Sequence, residues 1–148
     1  MSSSQTLSKK ERLKSYRKIR SLFNTGERFR QHPFLVYYSI NPQSEDAEED
    51  VLQMGVSVGT KNFKKAVTRN LLKRRTREVY RKNKKDLKEV LIEKKVSMGV
   101  FFVYINTEIS EYAEIELAMK SILKKLASIT SNSLHQQINK STNQQLNN

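Results

Sequence analysis

Near the N-terminus, apolar residues recur at the spacing of a helix. The series stops before Gly26, as is typical of a helix end, and its members are Leu13, Tyr16, Ile19 (or Arg20), Leu22 and Phe23. The start of this helix is ambiguous. Ser8 and Glu11 have the spacing of a capping box, while Ser15 equally suits the cap of a shorter helix.

Three later runs have the composition of β-strands. In the first, Phe34 to Ile40, Leu35 and Tyr37 share one face and Phe34, Val36 and Tyr38 the other, and alternation alone leaves open which face is buried. The second, "VLQMGVSVG", also alternates, and we expect it to pair with the first as an antiparallel hairpin. The third, "GVFFVYI", indicates a buried strand.

Two further helices follow from periodicity. Residues 65–85 form an amphipathic basic helix, whose apolar side carries Leu71, Leu72, Thr76 and Val79. A C-terminal amphipathic helix is marked by Ile115, Ala118, Met119, Ile122, Leu123 and Leu126. The order helix, strands, basic helix, strand, helix predicts an α+β fold, a small two-layer sandwich with one mixed sheet of about four strands.

Composition sets the domain limits and the class of partner. We expect one domain over residues 12–128, a loose basic segment over 1–11, and a disordered Ser/Asn/Gln-rich tail over 129–148. The chain has 28 Lys and Arg against 15 Asp and Glu, a net charge of +13, which is typical of proteins that bind a polyanion. Without cysteine, signal peptide or spanning segment, it is expected to be a soluble, cytoplasmic protein.

The basic helix concentrates this charge. Four basic residues recur every four positions and form a stripe along one side of the helix: Arg69, Lys73, Arg77 and Arg81. Asn70 and Arg74 lie along the edge of this stripe. Like charges at this spacing oppose helix formation, and Glu78 is the single acid between residues 65 and 85. The alternative is that these residues form a basic surface that contacts only water. Two observations disfavour it: such surfaces usually carry acidic residues among the basic ones, and arginine is well suited to bind phosphate oxygens.

The N-terminal region has a similar character. Nine basic residues and two acids lie between Lys9 and Arg30, with Tyr16, Phe23 and Phe29 among them. Aromatic rings beside cations suit single-stranded nucleic acid, although Phe23 equally suits the core of the first helix.

The sequence shows no evident set of carboxylates or histidines with which the protein itself could cleave RNA. The acidic cluster Glu45–Asp50 lies in a loop between strands, where a solvated turn is expected, and neither His32 nor His135 has an evident partner. We therefore predict no catalytic residue and no metal site in the chain itself. A DNA-binding regulator is disfavoured because a strand, not a helix, precedes the basic helix, and membrane-surface binding because that helix must cover the sheet.

The segment "KNFKKAVTRNLLKRRTREVYR" resembles the signature of the bacterial ribonuclease P protein family. The residues in register are Lys61, Ala66, Arg69, Asn70, Lys73, Arg74, Arg77 and Glu78. Phe23 and Gly26 resemble the end of that family's first helix, while Leu71 and Thr60 depart from the pattern. The resemblance covers residues 12–128, and a ribosomal or general structured-RNA-binding protein is the alternative.

The resemblance implies a fold like the second domain of ribosomal protein S5, with a left-handed βαβ crossover. It implies a protein subunit, monomeric without RNA, that binds a catalytic RNA subunit and the 5′ leader of precursor tRNA. Hydrolysis would use Mg²⁺ held by the RNA subunit. The residues expected to bind the RNA subunit are Lys61, Lys65, Arg69, Asn70, Lys73, Arg74, Arg77 and Arg81, and those expected to bind the leader are Phe23, Tyr37 and Lys61.

Overall fold

The computed structural model describes residues 7–43 and 50–146, with side chains up to residue 132. The helices are α1 (Tyr16–Thr25), α2 (Ala66–Asn83), α3 (Lys85–Lys94) and α4 (Tyr112–Leu146). The strands are β1 (Glu27–Gln31), β2 (Phe34–Pro42), β3 (Leu52–Val58) and β4 (Val96–Tyr104). The predicted α+β class and mixed four-stranded sheet are confirmed.

The strands are ordered β1-β2-β4-β3, so β4 lies between the two strands that were expected to pair. The predicted β2–β3 hairpin is wrong: β2 runs antiparallel to β4, and β3 runs parallel to it. Alternation identifies the face of a strand but not its neighbour. The central place goes to β4, whose Val100, Phe101 and Phe102 are consecutively buried and therefore need cover on both faces.

The edge strand β1 was not predicted. Its sequence, "ERFRQ", is mostly charged or polar, and Phe29 is its one large apolar residue. It pairs antiparallel with β2, with Arg28 opposite Tyr37 and Arg30 opposite Leu35. A charged strand of this kind suits a sheet edge, where one face and one side remain open to water.

The main core lies between one face of the sheet and helices α2, α3 and α4. Phe34 and Val36 of β2 are fully buried there, as are Leu72 and Val79 of α2. Helix α1 crosses the opposite face, where Leu22 packs in a smaller cluster with Leu13 and Phe101. The sheet therefore has one fully covered face and one face covered mainly by a single short helix.

The N-terminal segment is ordered earlier than predicted. Leu7 is buried in the main core, and Ser8 and Glu11 form a capping box around a single 3-10 turn. Ser15 caps α1, its hydroxyl accepting from the Lys18 N–H at 3.4 Å. The expectation of a loose segment is therefore wrong from Leu7 onwards, and each of the two candidate caps begins its own helical element.

Helix α4 continues to Leu146, into the part of the chain that was predicted to be a disordered tail. Thr130 is fully buried, and its hydroxyl donates to the carbonyl of Leu126 at 2.8 Å. Once a helix is anchored by an amphipathic face, each added residue gains a backbone hydrogen bond at little further cost, so polar composition alone does not end it.

Candidate nucleic-acid interface

Helix α2 presents opposite surfaces to the core and to solvent, as its periodicity predicts. Leu72, Thr76 and Val79 are buried towards the sheet, and the Thr76 hydroxyl donates to the Leu72 carbonyl at 2.8 Å. Of the residues expected to bind the RNA subunit, the exposed ones are Lys61, Lys65, Asn70, Arg74 and Arg77, and the half-buried ones are Arg69, Lys73 and Arg81. The name basic face is used below for these eight residues.

Arg69 supports the start of α2 from within the basic face. Its Nη1 donates to the carbonyls of Phe63 and Lys64, each at 2.8 Å. Phe63 is itself buried and packs against the ring of Tyr104. The two bonds fix the turn between β3 and α2, so Arg69 positions the loop that carries Lys61 in addition to any contact of its own.

Two adjacent arginines of α2 have different surroundings. Arg75 is half-buried, and its Nη1 donates to the Ser110 carbonyl at 2.9 Å, which ties α2 to the turn before α4. Arg74 is exposed and makes no such bond within the described part of the chain. Sequence reasoning did not single out Arg75 as structural, because a run of basic residues carries no sign of which member meets a carbonyl.

The carboxylates near α2 are used by lysines outside the basic face. Glu78 pairs with Lys82 at 3.5 Å, and Glu11 pairs with Lys84. Lys88 of α3 pairs with Asp50 at 2.9 Å. Within residues 7–43 and 50–146, Lys73, Arg74 and Arg77 have no ion-pair partner, so no carboxylate there balances their charge.

Although the Arg77 side chain is exposed overall, partial burial of its guanidinium group lowers its pKa, and the nearby charge of Arg12 lowers the pKa further. Arg12 belongs to the N-terminal segment, where it forms a parallel bridge with Met54 of β3. A second cation therefore adjoins the basic face from a distant part of the sequence.

Three aromatic rings meet on the sheet face that α1 crosses. The ring centroid of Phe23 lies 4.5 Å from that of Tyr37 and 5.1 Å from that of Phe101, edge-on in both cases. Phe23 is 39% exposed, and Tyr37 is half-buried. We call Phe23, Tyr37 and Phe101 the aromatic cluster. Tyr37 thus lies on the face opposite the main core, which answers the question that alternation left open.

The aromatic cluster has cations along one side. Arg28 and Arg30 of β1 are exposed and stand opposite Tyr37 and Leu35 in the strand register, on the same face. Sequence reasoning missed both because β1 itself was not predicted. Lys61 lies in the exposed turn after β3, and no ring contact joins it to Phe23 or Tyr37 in the described structure.

The described ranges contain no group of three or more His, Asp or Glu side chains arranged to hold a metal ion. Of the predicted acidic loop, residues 45–49 lie outside the described residues, as does the side chain of His135. His32 is exposed and lies 4.0 Å from Glu114. Within the same ranges, no helix is both long and apolar enough to cross a membrane.

The chain is similar in sequence to known proteins. The family model described as ribonuclease P matches residues 7–127. The ribonuclease P protein component of Porphyromonas gingivalis is 36% identical over 121 residues, covering 82% of this chain and 86% of the relative. That of Petrotoga mobilis is 33% identical over 129 residues, covering 82% and 96%.

Solved structures share the fold. The Thermotoga maritima RNase P protein superposes with a TM-score of 0.59 at 24% identity, covering 78% of this chain and 96% of that one. A Staphylococcus aureus RNase P protein gives a TM-score of 0.54 at 21% identity, covering 77% and 93%. At these identities the likeness concerns the fold alone.

Proposed function

Because the chain belongs to the ribonuclease P protein family, and is thus a protein component of that tRNA-processing endoribonuclease, we propose that its basic face binds the RNA subunit and its aromatic cluster binds the leader of precursor tRNA. The basic face comprises Lys61, Lys65, Arg69, Asn70, Lys73, Arg74, Arg77 and Arg81. The leader contacts are Phe23, Tyr37 and Lys61.

The observation that carries the proposal is the distribution of ion pairs. Lys82, Lys84 and Lys88 have carboxylate partners, whereas Lys73, Arg74 and Arg77 have none within the described residues. Unpaired cations at a spacing of four along a helix repel one another, so their presence costs stability unless an anion is bound. A phosphate backbone supplies closely spaced charges, and its binding releases counterions.

The aromatic cluster supports the leader contact. Single-stranded RNA binds where bases stack on exposed rings beside cations, with each stacked base contributing about 1–3 kcal/mol. Phe23 offers an exposed ring edge beside Tyr37, and Arg28 and Arg30 supply nearby positive charge. We include Lys61, in the exposed turn after β3, as a further cation for the leader, following the family resemblance.

The reaction itself is assigned to the RNA subunit, with Mg²⁺ bound by that RNA. The protein's residues bind and orient RNA, and no proton transfer is assigned to them. We further propose that the protein is monomeric without RNA, and that its partners are the catalytic RNA subunit and precursor tRNA.

Affinity purification of the full-length chain followed by sequencing of the bound RNA tests this function. The expected result is one predominant structured RNA, which cleaves precursor tRNA at the mature 5′ end in the presence of Mg²⁺ and cleaves better with the protein. A mixture of unrelated RNAs, with no effect on 5′ processing, would instead favour a general RNA-binding protein.

A further inference from the structure

The N-terminal arm, residues 7–13, lies along the outer edge of β3. The Leu13 N–H donates to the Met54 carbonyl at 2.9 Å, and Arg12 forms a parallel bridge with Met54. Neighbouring side chains of an extended chain point to opposite faces. Since Leu13 packs with Leu22 on the α1 side, Arg12 is directed to the side of the sheet on which α2 lies.

An ion pair and several hydrogen bonds fix this arm in place. Glu11 is 8% exposed and pairs with Lys84, the residue that follows α2. The Ser8 N–H donates to a Glu11 carboxylate oxygen at 2.9 Å, and the Gln53 side chain donates to the Lys10 carbonyl at 3.0 Å. The backbone that carries Arg12 is therefore held against both β3 and the end of α2.

Arg77 lies on the same side of α2 as Lys84. The two residues are seven apart, which is close to two full turns, or about 10.5 Å along the axis at about 1.5 Å per residue. Glu11 contacts Lys84 at one end of this line, and the adjacent Arg12 interacts with Arg77 strongly enough to lower its pKa, an effect second to that of burial. The arm and α2 thus place Arg12 and Arg77 on the same side of the sheet, where their charges interact.

Neither guanidinium group has an acidic partner. Across residues 7–43 and 50–146, no ion pair includes Arg12 or Arg77, and Glu78, the neighbour of Arg77, is paired with Lys82 at 3.5 Å. Two interacting cations without an ion-pair partner in the described residues favour the binding of an anion. Arginine is well suited to this role because its planar fork of N–H donors matches the oxygens of a phosphate.

We propose that Arg12 and Arg77 together bind a single backbone phosphate of the RNA, so that the bound RNA passes from α2 onto the N-terminal arm. This inference rests on the proposed function, since it takes the RNA subunit as the ligand. It adds Arg12 to the interface and gives Glu11 and Lys84 a positioning role, because their ion pair holds the arm on which Arg12 stands.

The first test uses inorganic phosphate and no RNA. Thermal unfolding of the full chain is compared in phosphate and in chloride at equal ionic strength, for the wild type, Arg12→Gln and Arg77→Gln. Phosphate should raise the melting temperature of the wild type and have a smaller effect on either variant. In chloride, each variant should melt at or above the wild-type temperature because a repulsion is removed. Arg20→Gln, an exposed arginine of α1, is the control and should respond to phosphate as the wild type does.

The second test measures affinity for the RNA that copurifies with the chain. Each single variant should weaken binding by roughly tenfold, as expected for loss of a charged hydrogen bond. The double variant should bind the RNA only slightly less tightly than the single variant with the lower affinity, because both arginines contact one phosphate. Losses that multiply in the double variant, or wild-type affinity in Arg12→Gln, would overturn the proposal. A phosphate response without an effect on RNA binding would reveal an adventitious ion only and would also overturn it.

The two proposals fail in different ways. If α2 variants lose RNA binding while Arg12→Gln does not, this inference fails and the proposed function stands. If the chain selects no particular RNA, the proposed function fails, and the inference fails with it even where phosphate still stabilises the protein.

Discussion

Phe101 occupies the space that a side chain at Gly55 would need. A Cβ atom at Gly55 would lie 2.6 Å from Cε2 of Phe101, well inside normal contact distance. The ring of Phe101 in turn contacts Phe23, which contacts Tyr37. The absence of a side chain at Gly55 on β3 therefore leaves room for the Phe101 ring of the aromatic cluster.

Replacing Gly55 with Ala should displace the Phe101 ring and destabilise the fold by about 1–3 kcal/mol, the usual cost of overpacking. Gly59→Ala is the matched control, because nothing lies within 4 Å of a Cβ built at Gly59. Urea denaturation of both variants measures the difference. Equal stability of the two would show that Phe101 moves aside without cost.

Tyr37→Ala should weaken the binding of precursor tRNA with a leader of several nucleotides, since each stacked base contributes about 1–3 kcal/mol. The affinities for mature tRNA and for the RNA subunit should stay nearly unchanged. Equilibrium binding of the three RNAs separates loss of leader contact from general damage, which would lower all three affinities together.

Tyr38→Ala serves as the control for Tyr37→Ala. Tyr38 packs against the main core on the other face of β2, so its removal should lower the free energy of unfolding without a selective effect on the leader. The opposite pattern, with selective loss in Tyr38→Ala, would mean that the leader does not follow the aromatic cluster.

Arg74 and Arg75 should give opposite results when each is replaced with Ala. Arg75→Ala removes the bond to the Ser110 carbonyl and should destabilise the protein by about 1.5–3 kcal/mol, the range for hydrogen bonds of charged groups. Arg74→Ala should leave the free energy of unfolding nearly unchanged and weaken RNA binding. Denaturation and RNA titration of both variants check this, and a shared phenotype would contradict the assignment.

Glu11 should make the stability of the protein depend on pH. Burial raises the pKa of Glu11, but the hydrogen bonds from Lys84 and Ser8 and the charges of Lys84 and Lys88 outweigh it, so the pKa is below its ordinary value of 4.5. A carboxylate of this kind stabilises the fold fully above its ordinary pKa and loses that contribution as pH falls through the folded-state value.

Glu11→Gln should therefore be less stable than the wild type at neutral pH, by about 1.5–3 kcal/mol for a charged hydrogen bond. The difference should stay constant at pH values well above 4.5 and shrink below it. Denaturation of both proteins at a series of pH values measures this, and a difference that persists in acid would show that Glu11 acts through packing alone.

Much of the fold could be predicted from periodicity, because a helix or strand with one buried face has apolar residues at regular spacing in the sequence. The apolar side of α2 and the alternation of β3 were identified in this way. The neighbour of β3 was not, because strand order depends on contacts between distant segments. The charged strand β1 and the helical continuation of α4 were missed, since packing and propagation there override local composition.

The residue types of the candidate site could be predicted from the sequence, but which basic residues stabilise the fold and which are available to bind RNA could not. The sequence placed Arg74, and not Arg75, among the outward residues of α2, yet it gave no sign that the Ser110 carbonyl lies beside Arg75. Arg12 was visible as one cation among many. In the proposed phosphate site, the position of Arg12 depends on the ion pair of Glu11 with Lys84, which joins segments far apart in the chain.

The salt dependence of RNA-subunit binding tests whether the basic face binds phosphates. Lys73, Arg74 and Arg77 are replaced together with Ala, and the slope of log affinity against log salt concentration is compared with the wild type. A control replaces three exposed lysines of other helices, Lys85, Lys94 and Lys124. We predict that the α2 variant remains folded and that its slope is shallower by about 0.7–0.9 for each lost contact, whereas the control keeps the wild-type slope. A folded α2 variant with an unchanged slope would show that Lys73, Arg74 and Arg77 do not contact phosphates.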